Sequence, residues 1–407
     1  MRAIPSNSWS LSNDQWCLKL GLIPNSSHFA CSSSSGLINI YDMSSSQPIT
    51  SIKAHESSIN SMKVIDENTV GSCSTDGIKV WDLRSSSTGS PAVSFTNGRS
   101  SNFLSLNFSK LNPAIVAGGT ELMGVDAQVH MWDLRNPKDV VRSFLDSHHD
   151  DVTDIKFHPT LPNYLMSGST DGYVNIYDLS QQEEEDALHQ VINYASVHSC
   201  HFTQEKRISV LSHMETLAFF ELNNTNYESI EEPAPNDLGD IRAIWPDCEY
   251  VIDLYPGFVA YGANSKEKIL LYPFDSAAEK VDLTKPVWFP KAHGEEIVRD
   301  VMTIPGTNTI LTCGEDGFIR SWELPYNLNS PASFYDGSAK EEMEDVIEEI
   351  EGEKKVKKDK KDKKDKKEKK EKKEKKDKKD KKDKKSKKEK KENKEKKSKS
   401  DVRFKPY

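Results

Sequence analysis

The 407-residue sequence predicts an all-β fold built from seven repeats, followed by a tail of a different kind. Three observations carry this prediction. A short segment recurs: a Ser/Thr-rich strand, an Asp-Gly turn, an alternating strand, then an aromatic residue and an acid. Its copies end at a mean spacing of about 47 residues, a period typical of repeat arrays. Helical periodicity is nearly absent before residue 338.

Three copies are clear. Ser72-Cys73-Ser74-Thr75-Asp76-Gly77 leads to Trp81-Asp82, and Ser167-Gly168-Ser169-Thr170-Asp171-Gly172 leads to Tyr177-Asp178. Thr312-Cys313-Gly314-Glu315-Asp316-Gly317 leads to Trp322-Glu323. Ile38-Asn39-Ile40-Tyr41-Asp42 is a fourth, and Val129-His130-Met131-Trp132-Asp133 a fifth that lacks Asp-Gly. Leu217–Glu221 and Ile269–Pro273 are weaker copies that fill the remaining space. The seven copies end at 42, 82, 133, 178, 221, 273 and 323.

Charge divides the chain. From Lys354 to Tyr407 there are 32 Lys and Arg against 13 Asp and Glu, a net of +19. The preceding residues hold 23 against 51, a net of −28. The overall −9 describes neither part: an acidic body is tied to a basic tail. The body is long enough to bury a large core. Six scattered cysteines form no CxxC pair and sit in strand-like runs, the pattern of reduced thiols inside a cell. No leader-like apolar segment opens the chain, and no apolar run approaches membrane-spanning length.

The repeats resemble those of the WD40-repeat family over roughly residues 10–335. That resemblance implies a WD40 β-propeller of seven four-stranded blades. It also implies a hydrogen-bonded tetrad within a blade, made of a His before the innermost strand, a Ser/Thr on the second, the turn Asp and the Trp. His55, Ser72, Asp76 and Trp81 match in one repeat; His148, Ser167 and Asp171 match in another, with Tyr177 for Trp. His293, Thr312, Asp316 and Trp322 match in a third. A buried Asp between strands must have its lone pairs satisfied, so these residues are assigned to the fold and not to catalysis. The fifth and sixth repeats lack most of the tetrad. Ring closure falls to a segment near Ser8–Leu11 or to one near Ala332–Tyr335.

The domain plan is a propeller over 1–335, an acidic amphipathic helix over 338–352, and a Lys-rich tail over 353–407. Ser338 and Glu341 have capping-box spacing, and Met343, Val346, Ile347 and Ile350 follow at helical intervals up to Gly352. Such a helix packs on the propeller or docks on a partner, and disorder of the segment is the third alternative. The tail largely repeats Lys-Lys-Asp or Lys-Lys-Glu, with almost nothing to bury, so disorder with transient helix is expected. It reads as a solvating appendage or as a salt-sensitive contact with a polyanion such as RNA or ribosomal precursor particles. Lysine runs also favour a nuclear or nucleolar address over a cytoplasmic one. Phe404 and Tyr407 end the tail either without meaning or as a docking motif.

Chemistry finds little foothold. His148-His149-Asp150-Asp151 and the group His198, Cys200, His201 and His213 offer metal-type side chains without metal-site spacing, although His198 and Cys200 would share one strand face. GxSxG, P-loop, GxGxxG and HExxH motifs are absent, and Gly118-Gly119 and the Gly-Ser-Thr-Asp-Gly run read as turn glycines. No cofactor or metal is implied. Trp81-Asp82-Leu83-Arg84 and Trp132-Asp133-Leu134-Arg135 are paired Trp-Asp-x-Arg motifs. In the WD40 family such pairs resemble those of substrate receptors for a cullin–RING ubiquitin ligase adaptor, which would place Arg84 and Arg135 at an adaptor surface. The expected function is a non-enzymatic scaffold for protein partners, with the ligase receptor as the alternative.

Overall fold

Alternating runs broken by Asp, Asn and Gly fold into seven antiparallel sheets, the blades of a β-propeller. The computed structural model describes residues 1–11, 14–85, 89–96, 102–224 and 233–328. The expected helix over 338–352, the tail over 353–407 and the candidate closing strand near Ala332–Tyr335 lie outside the described residues.

Strands are given from the axis outward. Blade 1 holds Cys17–Leu22, His28–Ser33, Leu37–Asp42 and Pro48–Lys53; blade 2 holds Ser61–Val64, Thr69–Ser74, Gly77–Asp82 and Val93–Phe95. Blade 3 holds Phe103–Phe108, Ile115–Thr120, Ala127–Asp133 and Asn136–His148. Blade 4 holds Val152–Phe157, Tyr164–Ser169, Tyr173–Asp178 and Leu188–Asn193. Blade 5 holds Val197–Gln204, Arg207–Ser212, Thr216–Glu221 and Asn236–Asp240. Blade 6 holds Tyr250–Tyr255, Phe258–Ala263, Lys268–Asp275 and Val287–Pro290, with the short strand Lys280–Val281 also on Lys268–Asp275. Blade 7 holds Val298–Thr303, Thr309–Gly314 and Phe318–Glu323, and its outermost strand is Ile4–Ser10 from the N-terminus.

That last strand closes the ring. Ile4 lies opposite Glu323 and Ser10 opposite Phe318. Each aromatic–acid copy ends the third strand of a blade or, in blade 6, lies inside it, so the fourth strand always follows the motif. Blade 7 therefore has its motif but takes its fourth strand from the other end of the chain. Trp9 anchors it, 1% exposed and packed edge-on against Phe29 of blade 1 at 5.0 Å.

Apolar faces of neighbouring blades pack on each other. One cluster joins Ile38, Ile40 and Ile52 of blade 1 to Met62, Val70 and Trp81 of blade 2. Another joins Trp9, Leu311 and Ile319 at blade 7 to Cys17, Phe29 and Tyr41 of blade 1. Faces must approach closely, and this corrects one expectation. Gly118 and Gly119 are not turn glycines but lie inside Ile115–Thr120, as Gly168 lies inside Tyr164–Ser169. A Cβ on Gly119 would stand 2.4 Å from Val152 Cγ1 of blade 4. Gly77, Gly172 and Gly317 do take turn conformations, with φ of 109°, 91° and 75°. The blade 2 turn is a residue shorter because Ser74 pairs directly with Gly77, leaving only Thr75 and Asp76 between strands.

Among the described residues helix is limited to single turns such as Glu184–Ala187, and none of these is long and apolar enough to cross a membrane. All six cysteines are free and buried.

Candidate functional site

The predicted tetrad residues meet in three blades. In blade 2, His55 Nδ1 contacts the Asp76 carboxylate, His55 Nε2 is 2.7 Å from Ser72 Oγ, and Trp81 Nε1–H donates to that oxygen at 3.1 Å. In blade 7, His293 lies 2.7 Å from Asp316 and 2.8 Å from Thr312 Oγ1, which also accepts from Trp322 Nε1 at 3.1 Å. In blade 4, His148 lies 3.0 Å from Asp171 and 2.7 Å from Ser167, whose hydroxyl is 3.3 Å from that of Tyr177. Burial pushes His55 and His293 below the usual imidazole range and prevails over the neighbouring aspartates. A neutral imidazole that donates from Nδ1 to Asp and accepts at Nε2 from the hydroxyl satisfies every group. The relay has the connectivity of a Ser-His-Asp triad. Its hydroxyl is fully buried, however, and is already bonded to the indole or phenol of its own blade.

A second constellation, absent from the sequence-based reading, surrounds the axis. An innermost strand has one edge without a strand partner, and its N–H groups need acceptors. Three blades supply them with one pattern, Val-x-Asp-aliphatic: Val152–Ile155, Val251–Leu254 and Val298–Val301. Asp154 accepts from Ile155 N at 3.0 Å and from Cys200 N of blade 5 at 3.1 Å. Asp300 accepts from Val301 N and Tyr255 Oη, each at 2.9 Å, and from Leu20 N of blade 1 at 2.9 Å. Asp253 accepts from Leu254 N at 2.8 Å, Ser199 Oγ at 2.7 Å and His201 Nε2 at 2.9 Å. A register shift lies just before each aspartate. Such bulges re-aim the side chains that follow them.

Lysines complete this axial group. Lys156 pairs with Asp154. Lys19 of blade 1 and Lys63 of blade 2 are half-buried, and among the described residues neither ammonium has a hydrogen bond or ion pair. Burial acts against the charge of Lys19, but Asp300, Asp253 and Asp154 outweigh it and raise its pKa. Burial, reinforced by the charge of Lys156, lowers Lys63 to about 8. Burial also opposes the charge of Asp253, yet His201 and Lys19 hold its carboxyl well below the usual range. Charges from blades 1, 2, 4, 5, 6 and 7 thus interact across the axis.

Arg84 and Arg135 occupy the turns after the third strands of blades 2 and 3. Antiparallel order puts both turns on one face of the ring. The acid of the repeat builds this turn: Asp42, Asp82, Asp133 and Asp178 each accept the backbone N–H two residues on, at 2.7, 3.0, 2.9 and 2.9 Å. In blades 2 and 3 that residue is Arg, and its guanidinium folds back on the same carboxylate. Arg84 donates to Asp82 from Nε at 3.0 Å and Nη2 at 2.8 Å; Arg135 donates to Asp133 from Nε at 2.9 Å and Nη2 at 2.6 Å. Both side chains remain about 70% exposed.

The metal-type residues separate. His149 turns to Asp126 at 2.9 Å, and Asp151 accepts from Leu122 N. His198 and Cys200 do not share a face, because the bulge between Val197 and Ser199 breaks the alternation. His198 reaches the Ile252 carbonyl of blade 6, while Cys200 is packed among Met166, Val174 and Ile208 of blades 4 and 5. Among the described residues no group of three or more His, Cys, Asp or Glu is placed to hold a metal ion.

Seven antiparallel blades, triad-like relays tying strands together and a ring closed by the N-terminal strand define a WD40 β-propeller. The WD domain, G-beta repeat model matches residues 139–178 and 284–323. Each match runs from near the outermost strand of one blade through three strands of the next, which is the offset that the closing strand resolves. The chain is 46% identical over 348 residues to the uncharacterized WD repeat-containing protein YNL035C of Saccharomyces cerevisiae, covering 83% of this chain and 86% of that one. It is 30% identical over 338 residues to the uncharacterized WD repeat-containing protein C63.06 of Schizosaccharomyces pombe, covering 78% and 99%. It is also 28% identical over 343 residues to WD repeat-containing protein 89 homolog of Dictyostelium discoideum, covering 82% and 90%. The chain belongs to the WD40-repeat family.

Proposed function

We propose that this protein is a non-enzymatic scaffold that holds protein partners on the propeller, within a nuclear or ribonucleoprotein assembly. One observation carries the reading. The residues with triad-like chemistry are committed to the fold: Ser72, Ser167 and Thr312 are fully buried and hydrogen-bonded within their blades. What the ring offers its surroundings is turns on two faces. The +19 tail adds a polyanion contact and favours a nuclear address. The test is affinity purification with mass spectrometry, comparing the full chain with one ending at Gly352, each with and without ribonuclease. The expected result is a protein set that the shortened chain retains, with nuclease-sensitive partners on the full chain alone. A full chain that captures no protein above control would overturn the reading. So would labelling of Ser72 by a serine-hydrolase probe.

A second reading is favoured by Arg84 and Arg135, which share one face in adjacent blades with exposed guanidinium groups. Each leaves Nη1 free of the clamp to its own aspartate, available for charge-assisted hydrogen bonds to a partner carboxylate. On this second reading that partner would be a cullin–RING ligase adaptor. Arg84→Glu with Arg135→Glu should abolish adaptor capture and spare the other partners. Capture that survives both changes refutes this reading and leaves the scaffold reading standing.

A further inference from the structure

The axial aspartates and lysines were brought together for different reasons. Asp154, Asp253 and Asp300 each accept three hydrogen bonds, chiefly from backbone N–H groups and from His201, Ser199, Tyr255 and Lys156. The carboxylates are thus occupied by the strands they cap. Lys19 and Lys63 hold six ammonium N–H donors between them and spend none on the described residues. The two sides of the ring also differ. Innermost-strand acids come from blades 4, 6 and 7; blades 2 and 3 contribute Ser61, Lys63, Ser105 and Asn107 at this level and no acid.

We propose that the axial channel is a binding site for a small oxyanion, phosphate or carboxylate, held by Lys63 with Lys19 and Lys156 as neighbouring cations. An ammonium half-removed from water without a partner is costly, and an anion supplies both the charge and the acceptors it lacks. The electrostatics agree. Around Lys19 three aspartates outweigh burial, whereas Lys63 is held at about 8 by burial first and by Lys156 second, which prevail over Asp154 and Asp300. Of the axial ammonium groups, Lys63 is thus the one least compensated by its neighbours. A bound cation fits poorly, because the carboxylates that would hold it already accept three hydrogen bonds each.

The test is isothermal titration of the full chain with inorganic phosphate and, separately, with succinate. The parent should show one saturable site for at least one of them, and which one it is tells phosphate from carboxylate. Lys63→Met keeps the aliphatic stem and removes the charge; it should weaken binding at least about tenfold, a difference of about 1.4 kcal/mol. Lys19→Met should weaken it less, and Lys63→Arg should restore it. Far-UV circular dichroism without anion should show all three folded, since Lys63 has no bond to lose. Should Lys63→Met fail to fold, Lys63→Gln is the replacement, read the same way. The Lys-rich tail is unchanged in every variant, so anions held by the tail give identical isotherms throughout. Identical isotherms in parent and Lys63→Met overturn the proposal. So does the absence of saturable heat with both anions.

Discussion

Trp9 is the single side chain on which closure of the ring most depends, and its removal has a magnitude that can be worked out. It is 1% exposed. A buried indole removes about 200 Å² from water, worth about 5 kcal/mol at about 25 cal/mol per Å². It packs at 5.0 Å on Phe29 and 6.3 Å on Tyr41, and its Nε1–H donates to the Ser45 carbonyl. Partial collapse of the site offsets some of this, so Trp9→Ala should cost about 4 kcal/mol, within the usual range for a buried aromatic. Trp16 supplies the control. It sits close by in sequence but is 44% exposed, with only the Arg299 guanidinium 5.9 Å from its ring. Trp16→Ala should cost less than about 1 kcal/mol. Urea unfolding followed by far-UV circular dichroism gives both values from the shift in midpoint and a common slope. If Trp9→Ala costs no more than Trp16→Ala, the N-terminal strand does not fasten blade 7 to blade 1 as described.

Other consequences are equally direct. Asp300→Ala strands the Leu20 N–H and the Tyr255 hydroxyl and leaves Val301 N–H only its bond to Tyr255 Oη; it should cost about 3 kcal/mol by denaturant titration, while Asp300→Asn, which keeps an acceptor, should cost less. Burial holds His130 and His158 at about 4 in the folded state, below the unfolded value of about 6.5. Between those values the unfolded chain binds more protons, so stability is full above pH ~6.5 and falls toward pH ~4. The geometry of His158 is consistent with a neutral ring: Nδ1 accepts from Leu161 N at 2.9 Å and Thr160 N at 3.2 Å. Thermal midpoints of a His158→Asn variant should therefore vary less with pH across that window. Gly119→Ala drives a methyl into Val152 and Ser105 and should cost about 1–3 kcal/mol, whereas Gly306→Ala, with open space around it and φ of 74°, should cost only about 1 kcal/mol.

The blades were legible because their signal is local and repeated. Asp-Gly demands a turn, the aromatic must be buried, and the acid after it caps the next turn; each copy says the same thing within a few residues. His55, His148 and His293 were legible for the same reason. The strand that closes the ring was narrowed to two segments and no further, because Ile4–Ser10 carries no copy of the motif and pairs across some 310 residues. Blades 5 and 6 were weak because aromatic stacking replaces the relay. In blade 6, Tyr261 lies between Trp245 at 5.6 Å and Tyr272 at 5.8 Å. Such substitution has no sequence period to betray it.

The axial group shows a different kind of invisibility. Val-x-Asp-aliphatic recurs at 152, 251 and 298 and was open to inspection, yet an Asp inside an apolar strand looks like a defect unless one asks where the unpaired inner edge sends its N–H groups. Once that question is asked, the aspartates are required and the lysines are not. Lys19 sits beside three acids that tolerate it, while Lys63 sits where no acid of its own or the next blade answers it. Lys63 is a residue that the backbone does not need and that burial penalises, so it adds little to the stability of the ring. On the proposal made here its contribution comes from an anion that enters the channel, and the anion titration decides whether it does.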